Sequence, residues 1–230
     1  MTIQKLDNLN PELVSWNDRM YQDHPTPYKG LAGMIEKARL RAVLDFANCQ
    51  INDAVLEVGC EGGNLLNSLP SVRRIVGVDI SLRALEDAQR QLQKQGRDLQ
   101  LYQLDAQLPL PFTRNEFNVI ICSEMLEHVE NPRAVLENIH AISNKDTCIV
   151  VSVPLEDTKL FVKQILRNIG LFKLFFAGIE EGQSEGHLHA FSEKFLLDLT
   201  SGLFKPKLSK RIWGIHYVVL LEKEERYNEN

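Results

Sequence analysis

The chain contains no C-x-x-C pair, and its four cysteines (Cys49, Cys60, Cys122 and Cys148) stand far apart among 230 residues. That scatter offers no disulfide framework. Three of the four fall in apolar runs or in a glycine turn, so free, buried thiols and a reducing, cytoplasmic compartment are expected. The first seven residues lack the apolar run of a signal peptide, and no stretch approaches the ~20 apolar residues of a membrane span. Basic charge is not in surplus: 26 Lys and Arg against 31 Asp and Glu give a net charge of −5, which argues against a surface built to grip nucleic acid. Internal repeats and low-complexity tracts are also missing. A hydrophobic fraction of 44% and a charged fraction of 25% are ordinary for a globular chain, and the length suits one domain with one sizeable core.

The hydrophobic pattern alternates in type along the chain. Residues 1–30 are polar, with aromatics at Trp16, Tyr21 and Tyr28, and a helix is predicted over 31–47 with Ile35, Ala38, Ala42 and Phe46 on one face. Strands are predicted at 53–58, 73–79, 98–104, 117–122 and 147–153, with helices at 63–69, 81–95 and 131–143. Ser81 suits an N-cap, and Asn131-Pro132 puts proline at the first helical position. Alternating strands and helices imply a parallel sheet with right-handed crossovers. Two runs near the end, 207–213 and 215–222, flank Gly214 too closely for a crossover helix and predict an antiparallel hairpin.

One segment carries most of the chemistry. Val55-Leu56-Glu57-Val58-Gly59-Cys60-Glu61-Gly62-Gly63 is an apolar strand running into a glycine turn, and Asp79 closes the following strand. A ligand can lie against bare backbone at such a turn, and an acid on the neighbouring strand can accept from a ribose diol. The spacing of Gly59, Gly62 and Gly63 is not that of the dinucleotide fingerprint G-x-G-x-x-G, which opposes a nicotinamide-dependent oxidoreductase.

The turn instead resembles motif I of class I S-adenosylmethionine (SAM) methyltransferases, an acid followed by G-x-G-x-G. Glu57, Gly59 and Gly63 match, while Glu61 stands where the family has its middle glycine. The resemblance is good over 50–155 and looser at the flanks. It implies a Rossmann-like α/β fold: a seven-stranded mixed sheet, helices on both faces and the C-terminal antiparallel hairpin. It implies a SAM site built from Glu57, Gly59, Cys60, Glu61, Gly63, Asp79 and Ser123, with Asp105 near the adenine amino group and Ile80 and Ala106 against the ring. Residues 1–230 then form a single domain: an N-terminal helical cap (1–48), a SAM-binding core (49–154), a lid insertion (155–190) and a C-terminal helix and hairpin (191–230).

The fourth strand leads into Ser123-Glu124-Met125-Leu126-Glu127-His128. If 124–129 is helical, Glu124, Glu127 and His128 share one face. The segment resembles the E-x-x-E-H turn of ubiquinone-biosynthesis O-methyltransferases and small-RNA 2′-O-methyltransferases, and His189 lies where the latter carry a further histidine. Two uses follow. The set Glu124, Glu127, His128 and His189 either holds Mg²⁺ or Mn²⁺ or shapes the acceptor pocket without a metal, with His128 or His189 as base and Glu124 orienting it. Between the fifth strand and His189, residues 159–176 read as a basic amphipathic helix that packs as a lid or makes peripheral membrane contact. Lys205, Lys207, Lys210 and Arg211 read as a solvated edge rather than an RNA groove. The expected activity is methyl transfer to a hydroxyl of a small or lipid-linked acceptor. The competing readings are a small-RNA 2′-O-methyltransferase and a non-catalytic SAM-binding protein, the latter suggested by Glu61.

Overall fold

A computed structural model describes residues 3–6, 8–23, 30–93, 99–155 and 187–224. The side chain of Asn10 accepts the backbone N–H of Glu12 and starts helix α1 (Pro11–Asp23), which is followed by α2 (Gly30–Ala47). Strands β2 (Ala54–Val58), β3 (Arg74–Asp79) and β4 (Leu99–Gln103) alternate with α3 (Asn64–Ser68) and α4 (Leu82–Gln93). Then come β5 (Val119–Ser123), a single 3-10 turn (Leu126–His128), α5 (Pro132–Ile142) and β6 (Cys148–Pro154). The chain closes with α6 (Glu193–Thr200), β7 (Phe204–Ile212) and β8 (His216–Lys223). The predicted Ser81 N-cap forms, its Oγ accepting Ala84 N–H at 3.1 Å, and Asn131, before the predicted helix-starting Pro132, caps α5 with its Oδ1 accepting Ala134 N–H at 3.1 Å.

Among the described residues, with the edge strand β1 (Gln4–Lys5) included, the sheet has eight strands in the order β1-β4-β3-β2-β5-β6-β8-β7, one more than the seven expected. The additional strand, β1 (Gln4–Lys5), pairs in parallel with Tyr102 and Gln103 at the edge. Two exposed polar residues carry no strand periodicity, so only pairing reveals this strand. The hairpin is also longer than the hydrophobic runs suggested. β7 begins at Phe204 and passes through Pro206, where a register irregularity follows. Proline is tolerated there because β7 is the last strand, and its missing N–H removes no interior ladder bond.

Strands β2 and β5 are buried at every position, as expected for parallel strands covered on both faces. Alternate residues feed two apolar layers. Val55, Ile75, Leu101, Ile121 and Val150 join residues of α2, α3 and α4, while Leu56, Val76, Ile120, Ile149 and Val151 join α5 and α6. The chain steps outward from β2 through β3 and β4, then returns to the other side of β2 with β5 and β6. The carboxyl ends of β2 and β5 therefore flank the point where the winding reverses, the place where open α/β sheets form a ligand crevice. Pairing of Pro154 with His216 brings the start of β8 to that same end. Residues 159–176 lie outside the described residues.

Candidate active site

The glycine turn is anchored to the neighbouring strand. Gly59 and Cys60 both donate their N–H to Val78 O, at 2.9 and 3.0 Å. Gly59 adopts φ 76°, and a Cβ there would stand 2.4 Å from Met125 Cγ, so bare backbone is required by conformation and by space. Gly63 has φ 79°, and its missing Cβ would come within 2.9 Å of Ala88 Cβ, which lets the turn and α3 close onto α4. Glu61 adopts φ 46° without being glycine, a left-handed conformation costing about 1–2 kcal/mol. Its N–H donates to Asp79 Oδ2 at 2.8 Å, while Asp79 Oδ1 accepts Ser81 N–H at 2.8 Å. Burial raises Asp79 above the ordinary carboxylate range despite those bonds. The Cys60 side chain turns into the core: a Cβ on Gly77 would stand 2.8 Å from its Sγ, and burial pushes its thiol well up.

Helix α1 closes this end of the crevice. Tyr21 Oη donates to Asp87 Oδ2 at 2.9 Å and lies 2.6 Å from where a Cβ on Gly62 would be. Asp18 accepts from Ser81 Oγ at 2.7 Å and from Arg83 N–H at 3.2 Å, adding a second cap to α4. Farther along, Asp105 Oδ1 accepts Gln107 N–H at 2.9 Å, and the carbonyls of Ile80 and Ala106 accept from Gln103 and Asn138 at 3.0 and 2.9 Å. Asp79, Ile80, Asp105 and Ala106 thus stand at or just beyond the carboxyl ends of β3 and β4.

The segment after β5 differs from the expected helical turn. Only Leu126–His128 is helical, as one 3-10 turn. Glu124 precedes it at φ 53°, and its N–H extends the sheet ladder by donating to Ser152 O at 2.9 Å. The left-handed step breaks the i, i+3 relation with Glu127, so the structure separates Glu124 from the ligand group assigned to it. His189 also stands apart, with Nε2 on the carbonyls of Val129 and Glu130 at 3.0 and 3.2 Å. The side chains that converge are Glu127, His128 and His187, whose donor atoms lie within 4.8 Å of one another. His128 and His187 meet edge to face with ring centroids 4.9 Å apart, and Glu127 is 1% exposed. Leu188 N–H, donating to Glu127 O at 2.7 Å, brings the histidine loop to this turn. One carboxylate and two imidazoles suit a divalent cation. The H-x-H spelling of 187–189 was the available signal for His187, but alternation of side chains along a loop does not say which histidine faces inward.

Glu124 belongs to a closed hydrogen-bonded ring of six side chains. Arg39 donates to Glu36 Oε2 at 2.9 Å, and Glu36 Oε1 lies 3.3 Å from His216 Nε2. His216 Nδ1 donates to Glu124 Oε2 at 2.9 Å, and Ser152 Oγ donates to Glu124 Oε1 at 2.9 Å. Ser123 Oγ meets Ser152 Oγ at 2.8 Å and accepts from Arg39, closing the ring. Burial works against a charge on His216, but Glu124 and then Glu36 raise its pKa to about 9. Burial likewise pushes Glu124 upward, yet His216 and Arg39 hold it below the usual carboxylate range. Two cations and two carboxylates therefore balance at the carboxyl ends of β5 and β6. Glu36, Arg39 and His216 carry no motif, and sequence reading missed all three.

Comparison with known proteins agrees with this fold. A family model described as a methyltransferase domain matches residues 33–200. The ubiquinone biosynthesis O-methyltransferase of Aeromonas salmonicida is 28% identical over 150 residues, 64% of this chain and 62% of that protein, so this chain spans less than two thirds of that relative's length. The enzyme of the same description from Haemophilus ducreyi is 28% identical over 198 residues, 83% of this chain and 80% of the other. Among solved structures, the N-methyltransferase NodS of Bradyrhizobium japonicum, in complex with S-adenosylhomocysteine, aligns with a TM-score of 0.66 at 15% identity, covering 92% of this chain and 98% of its own. The magnesium protoporphyrin IX methyltransferase of Synechocystis, with bound S-adenosylhomocysteine, aligns at 0.62 and 17% identity, covering 95% and 97%. At these identities the structural likeness concerns the fold.

Proposed function

This chain belongs to the methyltransferase-domain family, class I and SAM-dependent, and we propose that it transfers a methyl group to a hydroxyl oxygen of a small or lipid-linked acceptor. The observation that carries the choice of oxygen is the convergence of Glu127, His128 and His187 beyond the carboxyl end of β5. Methylating a hydroxyl requires that its proton be withdrawn or its alkoxide favoured, and these are the groups that can do so. The relatives from Aeromonas salmonicida and Haemophilus ducreyi, described as O-methyltransferases of ubiquinone biosynthesis, support the same acceptor chemistry.

The crevice suits the donor on its own evidence. Gly59 and Gly63 let the turn fold tightly against Met125 and Ala88, and Glu57 keeps a buried Oε2 without a hydrogen-bond partner beside the turn. Glu57, Glu61 and Asp79 bring three carboxyl groups to this end of the crevice, all raised by burial, and a cationic ligand would favour their ionised form. SAM supplies an electrophilic methyl carbon on a sulfonium. The chain's own tasks are to seat the donor along the glycine turn, to align the acceptor oxygen with the S–CH₃ bond and to exclude water. Glu127, His128 and His187 would hold Mg²⁺ or Mn²⁺, which would favour the ionised acceptor as a Lewis acid. Without a metal, His128 would accept the acceptor's proton, with Glu127 Oε1 3.9 Å from its Nε2 to stabilise the charge.

A nucleic-acid acceptor is less well supported. The basic residues of the β7 edge are largely matched by acids: Lys207 to Glu222 at 2.5 Å, Lys205 to Glu224 at 3.6 Å, and Arg211 to Glu193. A screen of methyl transfer to quinols, glycolipids and short RNAs, with and without Mg²⁺, tests the proposal. Turnover is expected on a hydroxylated small or lipid-linked acceptor; methylation confined to RNA or to nitrogen acceptors would overturn it. Replacement of His187 by alanine is expected to lower Mn²⁺ affinity at least about tenfold, the scale on which even outer-shell partners act. His189→Ala should leave it nearly unchanged. Equal effects of the two variants, read by calorimetry with Mn²⁺, would reject the Glu127, His128 and His187 assignment.

A further inference from the structure

Helix α1 lies over the two segments that frame Asp79. None of residues 11–22 is buried, and neither apolar layer includes any of them. Polar contacts to α4 and its cap tie the helix down. Asp18 accepts from Ser81 Oγ at 2.7 Å and from Arg83 N–H at 3.2 Å, and the Arg83 side chain donates to Gln22. Tyr21 Oη donates to Asp87 Oδ2 at 2.9 Å, while Arg90 holds the other oxygen of Asp87. Ser81 in turn donates its N–H to Asp79 Oδ1, and Glu61 N–H, next to Gly62, donates to Asp79 Oδ2. Helix α1 thus bridges both sides of the acid that the SAM reading places on the ribose. An element that covers a site without burying side chains undocks at a lower free energy than the whole domain unfolds.

The helix meets the glycine turn at Gly62. A Cβ on Gly62 would stand 2.6 Å from Tyr21 Oη, whereas the ring atoms Cζ and Cε2 would lie in ordinary contact at 3.5 and 3.7 Å. Unlike Gly59 and Gly63, Gly62 has no positive φ, so its backbone conformation does not call for glycine. The bare position serves the Tyr21 hydroxyl. We propose that Tyr21 is a positioning residue for the methyl donor: its hydroxyl, lodged against Gly62 and anchored on Asp87, latches α1 over the donor end of the crevice. Donor and product then leave only when α1 lifts. The proposal rests on the reading that SAM is the methyl donor.

Both halves of the latch act through one contact. Gly62→Ala presses on the far end of a side chain rather than on backbone, so it displaces the Tyr21 hydroxyl from Asp87 and leaves the turn in place. Tyr21→Phe breaks the same hydrogen bond and clears the same space. The two substitutions are not independent, and combined they should do no more than either alone. If Gly62 were bare to let the ligand approach, removing a hydroxyl from α1 would not relieve the added methyl, and the two effects would multiply.

Amide hydrogen exchange of the free protein, together with stopped-flow release of S-adenosylhomocysteine, tests this on the wild type, Gly62→Ala, Tyr21→Phe and the double variant. Amides of α1 are expected to exchange about three- to tenfold faster in each single variant, the scale of one hydrogen bond, and release should quicken by a similar factor. The double variant should match Tyr21→Phe. Amides of β2 and β5 should keep their protection, which shows that the variants fold. Asp87→Ala removes the anchor without touching Gly62 and should speed α1 exchange alike. An unchanged release rate, effects that multiply in the double variant, or faster release without faster α1 exchange overturns the proposal. Failure of the wild type to bind S-adenosylhomocysteine would instead overturn the reading of SAM as donor, and α1 exchange in the free protein would still decide whether Tyr21 latches the helix.

Discussion

Replacing His216 by alanine is expected to lower the unfolding free energy by about 3–5 kcal/mol, the usual cost of leaving a buried ion pair half-made. For a chain of this length that corresponds to a fall in Tm on the order of 10 °C. The variant leaves Glu36 and Glu124 facing one emptied position, with Arg39 as the remaining cation of the ring. Its effect should depend on pH in a definite direction. His216 is raised from 6.5 to about 9 in the fold, so its contribution is complete below about pH 6.5 and disappears as the pH rises through 9. Glu124 is depressed, so its contribution is present above the ordinary carboxylate range and disappears on acidification. The Tm difference between wild type and His216→Ala should therefore be large near pH 6.5 and shrink towards pH 10. Thermal unfolding across that range measures it, and a difference independent of pH would show that His216 is neutral in the fold.

Asp79→Asn is expected to weaken SAM binding by roughly 1.5–3 kcal/mol, about ten- to a hundredfold, because a carboxylate accepting charged hydrogen bonds is replaced by a weaker acceptor. Folding should respond much less. Burial raises the pKa of Asp79, so the ionised carboxylate is held at the expense of stability, and an amide of the same shape removes that cost while losing part of the bonds from Glu61 and Ser81. Calorimetry with SAM beside a melting curve separates the two effects. A large loss of Tm with unchanged affinity would make Asp79 a turn residue and nothing more.

Local chemistry explains what could be read in advance. Ser81 and Asn131 form their caps because a short polar side chain satisfies backbone N–H groups two or three residues away. The strands were legible because β2 and β5 are apolar at every position but one, Glu57 and Ser123 respectively. The glycine turn was legible because only glycine accepts the conformation and crowding found at Gly59 and Gly63. Where boundaries moved, pairing was responsible: β7 extends back through Pro206 because β8 is beside it, and β1 exists because β4 offers an edge.

The candidate catalytic end of the crevice was set differently. Helical spacing suggested that Glu124, Glu127 and His128 act together, but a single left-handed φ at Glu124 redirects its carboxylate to Ser152 and His216. His216 is 92 residues away in sequence from Glu124, and Ser123 is 84 from Arg39. No periodicity connects such positions. They meet because β8 runs antiparallel beside β6 and α2 packs across the ends of the strands. The choice of His187 over His189 likewise depends on how the loop docks on Glu127, through Leu188 N–H. Sequence alone determined most of the elements and the glycine turn, since each follows from residues in contact along the chain. Tertiary structure decided which acids and imidazoles share a charge, because burial and pairing of side chains remote in sequence set both their position and their protonation.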